Sequence, residues 1–174
     1  MTSHILDEAR LDRYEMITGG EAREKILSIL KASDVGRLAL LDRQYPYIIA
    51  MNHFLYKEGL VMHGSFEGKK IELIKRNKYA GYEVDFALEE GLPGLKSCHR
   101  EFESAVFYGE IREITDSEER YDCLHALSAS YGMPFKHGAE ERCNALFFRI
   151  HEATARTGRF IPHKNKKLYY YDFR

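Results

Sequence analysis

Cysteine is scarce: Cys98, Cys123 and Cys143 are the only three in the chain, and no two of them form a CxxC pair. This excludes paired-thiolate zinc sites and the thioredoxin-type motif. An odd number of widely spaced thiols reads instead as reduced, buried side chains of a cytoplasmic protein. No apolar run approaches the ~20 residues that a membrane-spanning helix needs. Residues 1–10 carry charges where a secretory leader would have an apolar stretch. Net charge is nearly absent as well: Lys plus Arg is 26 and Asp plus Glu is 27, a formal balance of −1. A chain so balanced has no global electrostatic pull toward nucleic acid. The familiar catalytic signatures are also missing. The scattered histidines His99, His125, His137, His151 and His163 make no HExxH or other paired-ligand spacing, so no metal site is expected. No G-x-S-x-G elbow surrounds Ser104, no GxxxxGK[ST] loop occurs, and no GxGxxG opens a dinucleotide-binding unit.

What is present is a 174-residue chain with 44% hydrophobic residues, enough for one domain with a real core. It has no internal repeat, low-complexity stretch or long Pro/Gly/Ser linker. Residues 1–17 read as a polar arm or short helix, 18–160 as the folded domain and 161–174 as a C-terminal tail. Thr18-Gly19-Gly20-Glu21 looks like a helix start with a capping threonine, and Ile26, Leu27 and Leu30 recur at helical spacing. The period then changes. Strands are expected over 35–41, 45–55 and 60–63, the last two joined by the turn Tyr56-Lys57-Glu58-Gly59. A short helix over 69–76 presents Ile71, Leu73 and Ile74 inward. A fourth strand covers 79–86, a polar loop 87–100, and a fifth strand 101–114. Gly109 within that fifth strand marks a bulge or a close backbone approach. A helix opened by Thr115-Asp116-Ser117-Glu118 carries Tyr121, Leu124 and Leu127. A loop follows over 131–141, then a final strand over 143–157. Six short strands with three helices fit a mainly β architecture, a small antiparallel barrel with peripheral helices.

The segment richest in chemistry is Met62-His63-Gly64-Ser65-Phe66-Glu67-Gly68-Lys69-Lys70-Ile71. A strand ends, a small-residue turn follows, and two lysines open a helix. Such a helix start offers free N–H groups and the positive end of the dipole to an anion. Glycines allow close backbone approach, and the lysines add compact charge. A terminal monophosphate suits this arrangement. Two lysines opening a helix are also an ordinary solvated face, so both readings stand on this feature taken alone.

The motif His63-Gly64-Ser65-x-x-Gly68-Lys69-Lys70 resembles the flavin-phosphate segment of the FMN-binding split-barrel proteins. This is the pyridoxamine 5'-phosphate oxidase-like family, here in its nitroimidazole-resistance-protein-like subgroup. Three other stretches resemble the family in the expected order. They are Gln44-Tyr45-Pro46-Tyr47-Ile48-Ile49-Ala50-Met51-Asn52, Tyr82-Glu83-Val84-Asp85, and Glu103-Ser104-Ala105-Val106-Phe107-Tyr108-Gly109. The resemblance covers about 35–115 and implies a six-stranded antiparallel split β-barrel that forms a homodimer with FMN between the subunits. It implies that Lys69, Lys70 and Ser65 hold the phosphate and that Met51, Asn52 and His53 lie along the flavin ring. His63 and Gly64 would line the ribityl chain or ring edge, and Ser104 would supply a polar contact.

The chain departs from the family in having Arg76-Asn77-Lys78 where a proline often precedes the fourth strand. It also lacks a match to the substrate-holding residues of true pyridoxamine-phosphate oxidases. The basic, tyrosine-rich stretch from Thr157 to Arg174 has no counterpart, which points away from pyridoxamine phosphate as substrate. Glu83 and Asp85 share a strand face and read as salt-bridging groups. The expected activity is an NAD(P)H-dependent flavin reduction serving a small acceptor, the chemistry residing in the cofactor. The alternative is a non-catalytic module that carries FMN or haem. A third option, nucleic-acid binding by the tail, predicts a salt-dependent affinity that truncation after Pro162 removes.

Overall fold

The computed structural model describes residues 14–87, 102–136, 138–158 and 167–174. All but the first residue of the expected loop over 87–100, and most of the N-terminal arm, lie outside the described residues. The elements in chain order are β1 (Glu15–Ile17), α1 (Gly19–Lys31), β2 (Val35–Leu40), β3 (Tyr47–Asn52), β4 (Phe54–Tyr56) and β5 (Gly59–Gly64). Then come α2 (Lys69–Arg76), β6 (Tyr79–Ala87), β7 (Phe102–Glu113), α3 (Ser117–Ser130), β8 (Asn144–Gly158) and β9 (Lys167–Asp172).

The sheet runs β1-β9-β8-β7-β6-β2-β3, with β5 branching from β8 and β4 pairing β5. Every pairing is antiparallel except β1 with β9, which is parallel. The six expected strands correspond to β2, β3, β5, β6, β7 and β8, and they form the split-barrel body. Among the described residues there are nine strands rather than six, and each extra one has a physical origin. The expected strand over 45–55 is interrupted at His53, whose side chain turns into the core, so β4 becomes a separate strand. Residues 15–17, expected in an arm or short helix, pair with the C-terminal stretch. That stretch, expected as a tail, is a buried strand: Leu168 and Tyr169 are in the core, and β9 pairs β8 from Glu152 to Thr157. Leu168-Tyr169-Tyr170-Tyr171 is a short apolar and aromatic run without alternation, and its burial depends on pairing with the distant β8.

β8 organises the body. One edge pairs β7 along almost its whole length. The other edge pairs β5 from Asn144 to Arg149 and β9 from Glu152 to Thr157. The changeover coincides with a register shift opposite Tyr108 and Gly109, where His151 is the extra residue in β8. A bulge of this kind flips the in–out parity of its strand. Leu146, Phe148 and Ile150 therefore face the core before it, and Ala153 and Ala155 face it after it. Gly109 is the close backbone approach anticipated from the sequence, since a Cβ there would collide with the Arg149 carbonyl.

Barrel residues Leu38, Leu40, Tyr82, Val84, Phe107 and Ile111 join the inward stripes of α1 and α2 in one core. α3 covers a smaller cluster on the outside of β5 and β8, containing Val61, Leu124 and Ala145. α3 opens where expected, and its N-cap is Asp116, whose carboxylate accepts from the Glu119 amide at 2.8 Å. α1 differs: Thr18 sits at its N-cap but makes no side-chain capping bond. β3 and β5 pack together without a hydrogen-bonded ladder, so the barrel keeps an open seam between them.

The substitution Gly109→Ala forces the Arg149 carbonyl aside at the bulge. It is expected to lower stability by about 2–4 kcal/mol, read from urea denaturation. An unchanged denaturation midpoint would show that the approach is not tight.

Candidate functional site

α2 begins at the seam. Its N-cap, Gly68, has φ +108°, a conformation that L side chains rarely adopt. The Gly68 carbonyl accepts the amides of Ile71 and Glu72. The amides of Lys69 and Lys70, in the first turn, have no partner within the helix by its geometry. The buried stripe of α2 is Lys70, Ile71, Leu73 and Ile74, which separates the two lysines. Lys69 points outward, pairs with Asp42 at 2.6 Å and lies over the Tyr47 ring. Its ammonium in turn holds the Asp42 carboxyl below the usual carboxylate range.

Lys70 is only 8% exposed. Its Nζ lies 3.8 Å from Met51 Sδ on β3, and it approaches Gly64 on β5 so closely that a Cβ there would collide with it. The Lys70 ammonium thus plugs the seam between β3 and β5. No carboxylate pairs with it among the described residues. Burial pushes its pKa below the ordinary lysine value. A buried cation whose one polar contact is a thioether is costly unless an anion joins it.

The structure therefore brings Met51, Gly64 and Lys70 together, with Ser65 and Lys69 on the adjoining turn and helix start. Ser65 Oγ donates to the Glu67 carbonyl at 2.7 Å and so shapes the turn. His63 is exposed one residue before Gly64 on β5. Asn52 is exposed on the outer face of β3 and donates to the Asp34 carbonyl at 3.3 Å. Ser104 lies on the outer face of β7 opposite Asp85 and Arg156. Between Asn52 and Ser104 stand β2 and β6, so three strand spacings separate them, roughly 14 Å within one chain. His53 departs from the expected position beside its neighbours. It is buried, with Nε2 3.0 Å from the Leu30 carbonyl and Nδ1 2.8 Å from Tyr82 Oη.

Tyr82 has no role of its own in the sequence reading, although alternation with Glu83 and Asp85 places it inside. Its hydroxyl lies 2.8 Å from both the Met51 carbonyl and His53 Nδ1, with one hydrogen to serve the two, and it ties the kink after β3 to the core. Burial raises its pKa well above the ordinary phenol value. On the outer face, Arg37 pairs with both Glu83 and Asp85, the salt bridging expected of those residues. A second contact not anticipated is Arg120 of α3, which stacks over Phe66 in the turn before α2, 5.6 Å from the ring centre.

The sequence profile of the family described as pyridoxamine 5'-phosphate oxidase matches residues 22–157. The chain belongs to that family. No curated protein matches the chain in sequence. Among solved structures, a protein from Bacteroides thetaiotaomicron assigned to 5-nitroimidazole antibiotic resistance is similar at TM-score 0.67. It is 23% identical over 76% of this chain and 82% of its own. A FAD-binding protein from Mesorhizobium loti is similar at TM-score 0.57, with 22% identity over 78% of this chain and 94% of its own. A FAD and heme binding protein from Mycobacterium smegmatis is similar at TM-score 0.61, with 15% identity over 87% and 82%. At these identities the likeness establishes the pyridoxamine 5'-phosphate oxidase fold. No described helix is long and apolar enough to cross a membrane. Among the described residues no group of three His, Cys, Asp or Glu side chains is placed to hold a metal.

Two outcomes follow from the buried groups. Burial holds the His53 pKa below its ordinary 6.5, and the opposing pull of the Leu30 carbonyl does not outweigh it. The unfolded chain then binds the proton more readily, so neutral His53 contributes fully above pH 6.5 and its contribution is lost as pH falls through the folded-state value. The melting temperature should decline as pH falls below 6.5, and His53→Gln should flatten that decline; an equally steep mutant profile would exonerate His53. Separately, Lys70→Met replaces a buried ammonium with a side chain of similar length. Without ligand it should stabilise the chain by about 1–2 kcal/mol, checked by denaturation, and a destabilised variant would mean that the ammonium is well satisfied.

Proposed function

We propose that the chain binds FMN, with the flavin phosphate at the N-terminus of α2 and the ring system along β3. The observation that carries this reading is the buried, carboxylate-free Lys70 ammonium at the β3–β5 seam, beside first-turn amides of α2. A phosphate there would offset the cost of the buried charge and accept from the helix amides. Lys69 is already neutralised by Asp42, which leaves one uncompensated cation. One cation suits a single terminal phosphate better than the pyrophosphate of a dinucleotide, and this favours FMN over the FAD named for the Mesorhizobium and Mycobacterium proteins. Met51 would pack against the flavin near the ribityl chain, and His63, Gly64 and Ser65 would border it.

The rest of the site would come from a second copy of the chain. Val35, Ile48, Phe102 and Tyr108 are exposed on the outer face of the β3-β2-β6-β7 sheet, flanking the Arg37–Glu83–Asp85 ion pairs, a mixed surface with large apolar side chains for a second subunit to cover. Ser104 shares that face, so it would serve the partner's flavin rather than its own. FMN, when bound, supplies hydride acceptance from a nicotinamide nucleotide and electron delivery to a small acceptor such as a nitro compound or another flavin. The protein's part is to bind, orient and screen the ring. A cytoplasmic location fits the buried thiol of Cys123 and the supply of such nucleotides.

Titration of the purified chain with FMN, FAD and riboflavin, followed by flavin fluorescence, tests the proposal. FMN should bind best. Lys70→Ala should weaken it by about 10–100-fold, while Lys69→Ala should cost less than about threefold. Equal binding of FMN and riboflavin, or indifference to Lys70→Ala, would sink the phosphate assignment. Steady-state NAD(P)H oxidation with bound FMN separates an enzyme from a carrier.

A further inference from the structure

A second concave site lies on the other side of the His53 kink. It is a groove of about 520 Å³ between the C-terminal ends of α1 and α3. Leu30, Phe54 and Leu55 form its apolar wall, and Ser33, Asp34, Ser130 and Tyr131 supply the polar lining.

The hydrogen-bond accounts of these polar groups all have the same sign. Ser33 Oγ spends its hydrogen on the Val35 carbonyl at 2.7 Å. Ser130 Oγ donates to the Leu127 carbonyl at 2.7 Å. Tyr131 Oη donates to the His53 carbonyl at 3.3 Å. A hydroxyl has one hydrogen, so all three present only lone pairs to the groove. The Asp34 carboxylate is an acceptor by nature, and among the described residues it makes no ion pair. Both ring nitrogens of His53 are engaged in the core. The two helix C-termini add the negative end of their dipoles, and the last turn of α3 contains no basic residue to offset it. Lys31, exposed on its flexible stem, is the one side-chain donor of the lining. An apolar wall whose fixed polar groups, Lys31 apart, offer only acceptors selects a ligand that is apolar in body and a charged donor at its head.

We propose that the α1–α3 groove is a binding site for a small organic cation, a primary ammonium or amidinium carried on an apolar or aromatic body. The body rests on Leu30, Phe54 and Leu55, and the head donates to Asp34 and to the lone pairs of Ser33, Ser130 and Tyr131. This is the opposite of the chemistry at Lys70, so an anionic phosphate ligand is excluded from the groove. The site does not depend on the flavin assignment.

The test uses the full chain and three probes of nearly equal shape: benzylamine, benzyl alcohol and benzoate, titrated by calorimetry with ligand-observed NMR as a second readout. Benzylamine should bind best and benzoate worst. Asp34→Asn, an exposed and nearly isosteric change, should weaken benzylamine about fivefold, and Lys31→Ala should tighten it by about twofold. These two shifts have opposite signs, so loss of folding in one variant cannot imitate the pattern. Ser130→Ala should weaken benzylamine while leaving benzyl alcohol nearly unchanged. Benzoate binding as well as benzylamine, no detectable benzylamine binding to the native chain, or Asp34→Asn without effect would each overturn the assignment.

Discussion

β8 must stay paired on both edges while the partner on one edge changes from β5 to β9 at His151. The remaining geometry depends on how the chain meets that constraint. One extra residue at the changeover restores the inward parity of the strand, and Gly109 leaves room for the Arg149 carbonyl that the bulge pushes across. Beyond the bulge, β9 continues the sheet and carries β1 on its far edge. Before it, β5 is held on β8 and its other edge pairs only with the short β4. β5 and β3 therefore pack but do not hydrogen-bond, and the open seam results from where β8 hands over one partner and takes the next.

A seam of this kind leaves polar backbone in a partly buried place, and the chain fills it with a cation. Lys70 reaches the seam because it stands four residues before Ile74 and three before Leu73, on the buried stripe of α2. Lys69, one residue earlier, falls on the outer face and is neutralised by Asp42. The close approach of Nζ to Gly64 uses space that any other residue would occupy. Folding alone does not require such a charge, since a methionine would fill the same volume at lower cost. Function is the economical explanation for keeping it.

Much of this was legible from the residues, and the failures have identifiable causes. Periodicity located α2 to the residue and gave the six strands of the barrel body, because each of those strands has a clear apolar run between turn signals. The four family-like stretches fall on β3, β6, β7 and the β5–α2 junction, which is why the fold could be named from them. The helical phase that distinguishes Lys70 from Lys69 was also in the sequence, in the placement of Leu73 and Ile74, but reading the lysines as an equivalent pair concealed it. His53 could not be placed by strand alternation, because the kink that buries it is made by its own bonds to Leu30 and Tyr82, residues 23 and 29 positions away. β9 was obscured in another way: Leu168 and Tyr169 become core only because β8 extends past the bulge to receive them. Both misreadings arise from long-range pairings that no local window contains.

The molecule also uses helix ends of both polarities. At the seam, the N-terminus of α2 adds its positive dipole to a lysine that burial has stripped of water. Across the His53 kink, the C-termini of α1 and α3 add negative dipoles to a carboxylate and to hydroxyls whose hydrogens are already spent. The two sites therefore differ in sign, and they are separated by a rigid wall: the His53 imidazole, bonded to α1 on one side and to Tyr82 on the other, with Tyr82 holding the Met51 carbonyl. Met51 touches Lys70, and His53 lines the groove. The kink is thus a wall common to the Lys70 seam and the groove.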